Sequence, residues 1–158
     1  MNKQIIVILS VTFMMVASIR HSAIAQERGI MQKQIKTTTA AANAPFSQGI
    51  EVNGFVFLSG TLGVDGATGM FAGNDVVSQL TQIVANITEI LREAGCTIND
   101  VVKATVLLTD MKDYAAMNEA YLNLFRPPYP ARTCVEVSAL PREGALIEVE
   151  VIAVKTVR

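Results

Sequence analysis

Apolar positions along the chain recur with two spacings, which predict the helices and strands of a mixed fold. Over residues 76–91 they follow the three- and four-residue spacing of an amphipathic helix, which Asn74 or Asp75 can cap. A second helix is predicted over residues 110–125, where Asp110 is placed to cap the first turn. The apolar stripe of the first helix comprises Val76, Val77, Leu80, Ile83, Val84, Ile87, Ile90 and Leu91.

Shorter apolar runs predict the strands. Asn53-Gly54 separates two such runs, and this dipeptide is typical of a tight β-hairpin because both residues tolerate positive φ. Further strands are predicted over residues 33–38, 101–108, 132–139 and 146–157. This order of elements is typical of an α+β fold, a mixed sheet of about six strands with two helices on one face. The other face carries much apolar surface, which favours an oligomer.

Residues 1–25 have the pattern of a secretory signal peptide. Lys3 precedes an apolar run over residues 5–19, and residues 23–25 supply a small-x-small cleavage site. The run is shorter than the ~20 residues that a membrane-spanning helix needs, although an uncleaved anchor is the alternative. We expect cleavage near Ala25, a single domain over residues 26–158, no membrane attachment after cleavage, and a periplasmic or secreted location.

Composition excludes several classes of function once the leader is removed. The chain has 13 basic and 14 acidic residues, and the leader takes away two cations, Lys3 and Arg20. The remaining domain carries a net charge of about −3, which disfavours nucleic-acid binding. The one histidine, His21, also lies in the leader. Ser-His-Asp triads, Cys-His pairs and histidine-ligated zinc are therefore excluded from the mature domain.

Two cysteines, Cys96 and Cys134, would remain in an oxidising compartment. An even number there is compatible with one disulfide. Cys96 follows a predicted helix end and Cys134 lies within a predicted strand, so we favour two separately buried thiols.

Arg132 begins a strand that is otherwise fit to be buried. Alternation places Arg132, Cys134 and Glu136 on one side of this strand, and the prolines before it hold the chain extended. A guanidinium mounted in this way can grip a carboxylate at two points. An ion pair within the fold or at a subunit interface is the alternative.

Glu148 is a second candidate for chemistry. It shares a strand face with Ile152 and Val154, and a carboxylate on an apolar face must be paired or must titrate in a site. If the last two strands pair as a hairpin about residue 143, Arg132 and Glu148 are offset by six residues, or ~20 Å. One small ligand could not contact both within one chain.

Two other places along the chain carry polar groups suited to a ligand. Ser59-Gly60 directly follows an apolar strand, where a hydroxyl and an unobstructed backbone N–H can face a ligand or merely end the strand. Asn118 is four residues from Tyr114 and three from Tyr121, so its amide falls on the apolar side of its helix. A buried amide needs partners, either a neighbouring backbone group or a site.

The run Pro130–Val137, together with Leu140-Pro141 and Ile147–Glu150, resembles the signature of the reactive-intermediate deaminase (RidA/YjgF) family. The resemblance extends from about Ile35 to the C-terminus. It implies a chorismate-mutase-like α+β fold and a homotrimer with sites between neighbouring subunits. It also implies hydrolysis of enamines and imines, such as 2-aminoacrylate, to 2-keto acids and ammonia, without a metal or organic cofactor.

The resemblance also implies roles for individual residues. Arg132 would bind the substrate carboxylate, and Glu148 of the adjoining chain would position the attacking water. The pocket would be lined by Ser59, Gly60, Asn118 and the backbone of Cys134.

The chain departs from the family pattern in two ways. Phe46 stands where a tyrosine is usual, so a hydroxyl is absent although the ring can still line the pocket. The leader would also separate the protein from the cytosolic enzymes that produce such imines. The rival hypothesis is therefore a non-catalytic trimer that binds small carboxylates or shields unfolded proteins. A nucleolytic role fits poorly with an acidic domain that lacks histidine.

Overall fold

The structure, a computed structural model, describes residues 31–40 and 43–155. All the elements below lie in one compact unit, Gln32–Arg158. The predicted leader and its cleavage site lie outside the described residues. No helix in the described ranges is both long enough and apolar enough to cross a membrane.

Seven strands and two α-helices make up the fold, together with two short 3₁₀ turns. The strands are β1 (Gln32–Ile35), β2 (Gly49–Val52), β3 (Phe55–Leu58), β4 (Thr61–Leu62), β5 (Val101–Leu108), β6 (Ala131–Glu136) and β7 (Ile147–Val154). The helices are α1 (Val76–Glu93) and α2 (Tyr114–Leu124), and the 3₁₀ turns are Ile98–Asp100 and Met111–Asp113. The predicted α+β class is confirmed, and the strand beyond the expected six is the two-residue β4.

The strands form one mixed sheet in the order β1-β2-β3-β7-β5-β6, and β4 pairs with β7 beyond the end of β3. All pairs are antiparallel except β5 and β6, which are parallel. The predicted hairpin between the last two strands is therefore wrong, since β5 lies between them. Helix α2 is the reason: it carries the chain back across the sheet, so that β6 starts at the same end as β5.

The hairpin predicted at Asn53-Gly54 is confirmed. Asn53 has a φ of 50° and Gly54 a φ of 80°, and β2 pairs with β3 on either side of them. The turn fixes the register between β2 and β3. Ser59 and Gly60 therefore have a fixed position directly after Leu58, the last residue of β3.

Helix α1 buries the predicted apolar stripe except for one residue, and it buries one polar residue that was not predicted. Val77 is 41% exposed, whereas Gln79 is fully buried. The Gln79 side chain donates to the carbonyl oxygens of Gly73 and Gly144, at 3.2 and 2.9 Å, and accepts from the backbone N–H of Leu146 at 2.9 Å. The amide thus ties the start of α1 to the loop that leads into β7.

The two faces of the sheet differ sharply. Both helices cover one face, where Ala104, Val106 and Val149 are fully buried. The opposite face, which we call the open face, carries the alternate residues of β5 and β7, including Leu107, Glu148 and Ile152. Four large apolar side chains of this face are more than a third exposed: Phe55, Phe57, Val135 and Val154.

Candidate active site

Arg132 lies on β6 beside Ala104, on the face that the helices cover. Its guanidinium Nη2 donates to Oδ1 of Asn118 at 2.5 Å, and Nη1 lies 3.7 Å from Sδ of Met117. Its Cζ lies 4.6 Å from the ring centroid of Tyr121. Among the described residues no acidic side chain forms an ion pair with Arg132. An ion pair within the fold was one interpretation of Arg132, and the described residues contain no such pair.

Asn118 is half-buried on α2, as its position between two tyrosines predicts. Its amide oxygen is occupied by Arg132, while its NH₂ group makes no hydrogen bond with a described residue. The residue therefore orients the guanidinium and still has two N–H groups to offer.

A depression of about 360 Å³ opens beside the guanidinium. Its apolar walls include Leu122 and Tyr129, which are 56% and 47% exposed. Arg132 and Asn118 supply its polar groups, and Tyr121 and Pro130 also line it. An uncompensated cation in a depression with apolar walls is suited to a small carboxylate.

Both cysteines are free thiols in the structure, as the preferred interpretation expects, but only one of them is fully buried. Cys96 is buried, whereas Cys134 is half-buried on the same strand as Arg132. Burial raises the pKa of the Cys134 thiol, although the positive charge of Arg132 acts in the opposite direction. The effect of burial is the larger one, so Cys134 stays a thiol rather than a thiolate at neutral pH and is not an activated nucleophile.

Glu148 lies on the open face and its carboxylate covers Gly60. A Cβ added to Gly60 would lie 1.7 Å from Oε1 of Glu148, so the glycine is what makes room for the carboxylate. Burial is the main cause that raises the pKa of Glu148, and the negative charge of Glu150 adds to it. No described residue donates a hydrogen bond to this carboxylate, which leaves its oxygens available to a water or substrate.

Ser59 and Phe46 lie next to Gly60. The Ser59 hydroxyl donates to the carbonyl oxygen of Ser47 at 2.7 Å, which ties the end of β3 to the loop that carries Phe46. Phe46 is 62% exposed and lines a cavity of about 440 Å³ together with Ser59 and Gly60. The Ser59 hydroxyl is thus engaged in holding the loop, and the Phe46 ring forms an apolar wall.

The predicted residues fall into two groups. The arginine half-site consists of Arg132, Asn118 and Cys134, and the glutamate half-site consists of Phe46, Ser59, Gly60 and Glu148. Within one chain the structure does not bring these groups together.

Arg132 and Glu148 are kept apart within one chain for a different reason from the one that the sequence predicted. Arg132 is level with Ala104 on β5 and Glu148 with Leu107, so the offset along the strands is three residues rather than six. Two strand spacings across the sheet bring the Cα–Cα distance to roughly 14 Å, and the two side chains point to opposite faces.

Tyr121 is a residue of the arginine half-site that the sequence did not single out, because it was placed only on the apolar side of its helix. It is buried, and the face of its ring lies against Arg132. Its spacing of three residues from Asn118 was the available signal, since residues three apart share a helix face. No group of three or more His, Cys, Asp or Glu side chains in the described part of the chain could hold a metal ion.

Comparison with known proteins places this geometry in a family. The model of the family described as Endoribonuclease L-PSP matches residues 36–155. A relative from Mus musculus, named 2-iminobutanoate/2-iminopropanoate deaminase, is 44% identical over 127 residues, which cover 80% of this chain and 93% of the relative. The chain belongs to the RidA/YjgF family.

Solved RidA/YjgF structures share the fold. RidA from the Antarctic bacterium Psychrobacter sp. PAMC 21119 is 40% identical, and the match covers 77% of this chain and 98% of that one with a TM-score of 0.72. Escherichia coli TdcF with bound serine is 37% identical, and the match covers 78% of this chain and 99% of that one with a TM-score of 0.72. The resemblance noted in the sequence is confirmed.

We expect Glu148→Gln to stabilise the folded protein at neutral pH. The pKa of Glu148 is raised on folding, so the folded protein holds this proton more tightly than the unfolded chain does. Stability is therefore lost as the pH rises through the folded pKa, and the uncharged amide avoids that loss. The gain in Tm over the unsubstituted protein should be larger at about pH 7 than at about pH 4.

Thermal unfolding at the two pH values measures the effect. Glu119→Gln makes the same chemical change at an exposed position of α2 and serves as the control. Equal gains for Glu148→Gln at both pH values would contradict the prediction.

Proposed function

We propose that this protein is an enamine/imine deaminase, which hydrolyses 2-iminobutanoate, 2-iminopropanoate and similar compounds to 2-keto acids and ammonia. The observation that carries the proposal is the guanidinium of Arg132, which no described acidic residue neutralises and which lies beside a depression of about 360 Å³. The name of the Mus musculus relative, 44% identical over most of both chains, supports the same substrates.

Arg132 binds the substrate carboxylate in this proposal. Its planar fork offers parallel N–H donors, and the NH₂ group of Asn118 lies beside it. The backbone of Cys134, two residues along β6, helps to hold the ligand. The serine bound to Escherichia coli TdcF is itself a small amino acid with a carboxylate, which is compatible with such a ligand.

Glu148 positions the attacking water. A raised pKa makes its carboxylate a stronger base than an exposed glutamate, and its oxygens are not engaged by described donors. Gly60 leaves the room that this carboxylate occupies, and Ser59 and Phe46 line the cavity of about 440 Å³ next to Gly60.

The reaction needs little beyond this arrangement. The imine carbon is electrophilic, so a water held against it adds to the C=N bond as Glu148 accepts a proton. That proton passes to nitrogen, which gives a carbinolamine. The proton of the new hydroxyl then passes to nitrogen as well, the C–N bond breaks, and ammonia leaves as the C–O bond becomes the keto group. One water is consumed for each imine, and no step requires an oxidant, a metal or an organic cofactor.

The two half-sites meet across a subunit interface in this proposal. Arg132 and Glu148 point to opposite faces of one sheet, so one small ligand contacts both only if they come from different chains. The exposed Phe55, Phe57, Val135 and Val154 give the open face an apolar surface to bury against a second copy. We therefore propose a homotrimer with three sites between neighbouring subunits.

The location we propose is periplasmic or secreted, because residues 1–25 have the pattern of a cleaved leader. The protein would then meet imines that arise outside the cytoplasm. The mass of the mature protein tests this, since removal of the residues up to Ala25 is expected and retention of the full leader contradicts it.

The deaminase assay generates 2-iminobutanoate with a dehydratase and follows 2-keto acid release with and without this protein. The protein should accelerate release, and Arg132→Lys should raise KM by roughly 10- to 100-fold because a point charge replaces a bidentate fork. Arg92→Lys makes the same change at an exposed position of α1 and should leave KM unchanged.

Two results would favour the rival functions. Release no faster than spontaneous hydrolysis, with 2-keto acid still bound, would identify a non-catalytic carboxylate-binding protein. Protection of an aggregating client protein that survives Arg132→Ala would identify a holdase.

Mixed assemblies test the shared site. Arg132→Ala and Glu148→Gln should each lose activity, but co-expression at equal levels should restore about a quarter of the unsubstituted activity, since one site in four then combines an intact Arg132 with an intact Glu148. Affinity tags of two kinds allow the mixed trimers to be isolated, and these should have about a third of the unsubstituted activity because one of their three sites is intact. No recovery in verified mixed trimers would mean that each chain builds its own site.

A further inference from the structure

The ring of Tyr121 is fixed beneath the guanidinium of Arg132. The residue is only 4% exposed, and its ring stacks against Phe125 with centroids 4.2 Å apart and an interplanar angle of 17°. Arg132 Cζ lies 4.6 Å from the Tyr121 centroid, while the ring of Tyr114 is further away at 6.0 Å. Tyr121 is therefore held between a core aromatic side chain and the cation.

The other contacts of Arg132 are also uncharged. Asn118 accepts one hydrogen bond, Met117 offers a thioether sulfur, and none of the ion pairs found in the described part of the chain includes Arg132. A carboxylate partner would hold the guanidinium too, but it would occupy the N–H donors that a ligand needs. A ring attracts the cation through its flat face and leaves the N–H groups at the edge free.

The ring, rather than the hydroxyl, makes this contact. The hydroxyl of Tyr121 is buried and has no hydrogen-bond partner among the described residues. Burial raises the pKa of Tyr121 to about 12, although the charge of Arg132 acts against the rise. The side chain therefore stays neutral at physiological pH and does not become a phenolate that would pair with the guanidinium.

We propose that Tyr121 is a positioning residue for Arg132: its ring fixes the plane of the guanidinium so that the outer N–H groups face the carboxylate of the ligand. This inference rests on the proposed function only for the nature of that ligand. Tyr121 does not touch the reacting atoms, so it acts on substrate affinity through Arg132.

Tyr121→Leu and Tyr121→Phe separate the ring from the hydroxyl. Loss of the ring should raise KM by about 2- to 30-fold, the range expected for losing a cation–π contact, with kcat changed by less than about twofold. Tyr121→Phe keeps the ring and should restore KM to within about twofold of the unsubstituted protein. Its Tm should be equal or higher, because it removes a buried hydroxyl without a partner.

Phe125→Leu is the matched control. It removes the ring that stacks on Tyr121 but keeps the Tyr121 ring, which makes the contact with Arg132. Both leucine variants should lower Tm, but Tyr121→Leu should weaken ligand binding clearly more than Phe125→Leu does. An equal loss of affinity in Phe125→Leu, or a loss in Tyr121→Phe as large as in Tyr121→Leu, would overturn the proposal.

Binding of 2-oxobutanoate, measured by calorimetry, distinguishes this inference from the proposed function. The dissociation constant should follow the same order as KM across the three variants, whether or not the protein turns over imines. If the protein does not turn over imines but its variants show this order of affinities, the proposed deaminase function is rejected and the role of Tyr121 is supported. Equal affinities in all variants would reject the role of Tyr121 even if the protein is a deaminase.

Discussion

Alternation of side chains across the sheet is the constraint on which the candidate site depends. Because β5 lies between β6 and β7, the positions of Arg132 and Glu148 are both set by the register of that one central strand. The offset of three residues along β5 is odd, so the two side chains must point to opposite faces. A shift of one residue in either pairing would move one of them to the other face and destroy the separation.

The two half-sites are built by opposite means. Arg132 is held by neutral groups, an amide oxygen, a sulfur and an aromatic ring, which stabilise the cation without neutralising it. Glu148 accepts no hydrogen bond from a described residue, and burial together with the charge of Glu150 makes its charged form less favourable. One half-site thus offers a strong, fixed charge to a carboxylate, and the other offers a carboxylate that readily accepts a proton.

Small structural features hold the glutamate half-site in place. Gly60 provides the space that Glu148 occupies, and Ser59 anchors the loop that bears Phe46. Gln79 links α1 to the loop before β7 through two hydrogen bonds, one with Gly144 and one with Leu146. These contacts connect the core to the residues proposed for chemistry, although none of the three anchoring groups is itself reactive.

The sequence alone determined the elements and most of the candidate residues, because apolar periodicity, the Asn53-Gly54 turn and the strand alternation around Arg132 are local properties. It placed Asn118 on the apolar side of its helix and Glu148 on a partly apolar face for the same reason. Only the tertiary structure decided that β5 separates β6 from β7, since strand order depends on how α2 crosses the sheet. It also decided that Gln79 is buried, that Gly60 makes room for Glu148 and that Tyr121 lies beneath Arg132, because each contact joins residues whose approach depends on the packed fold.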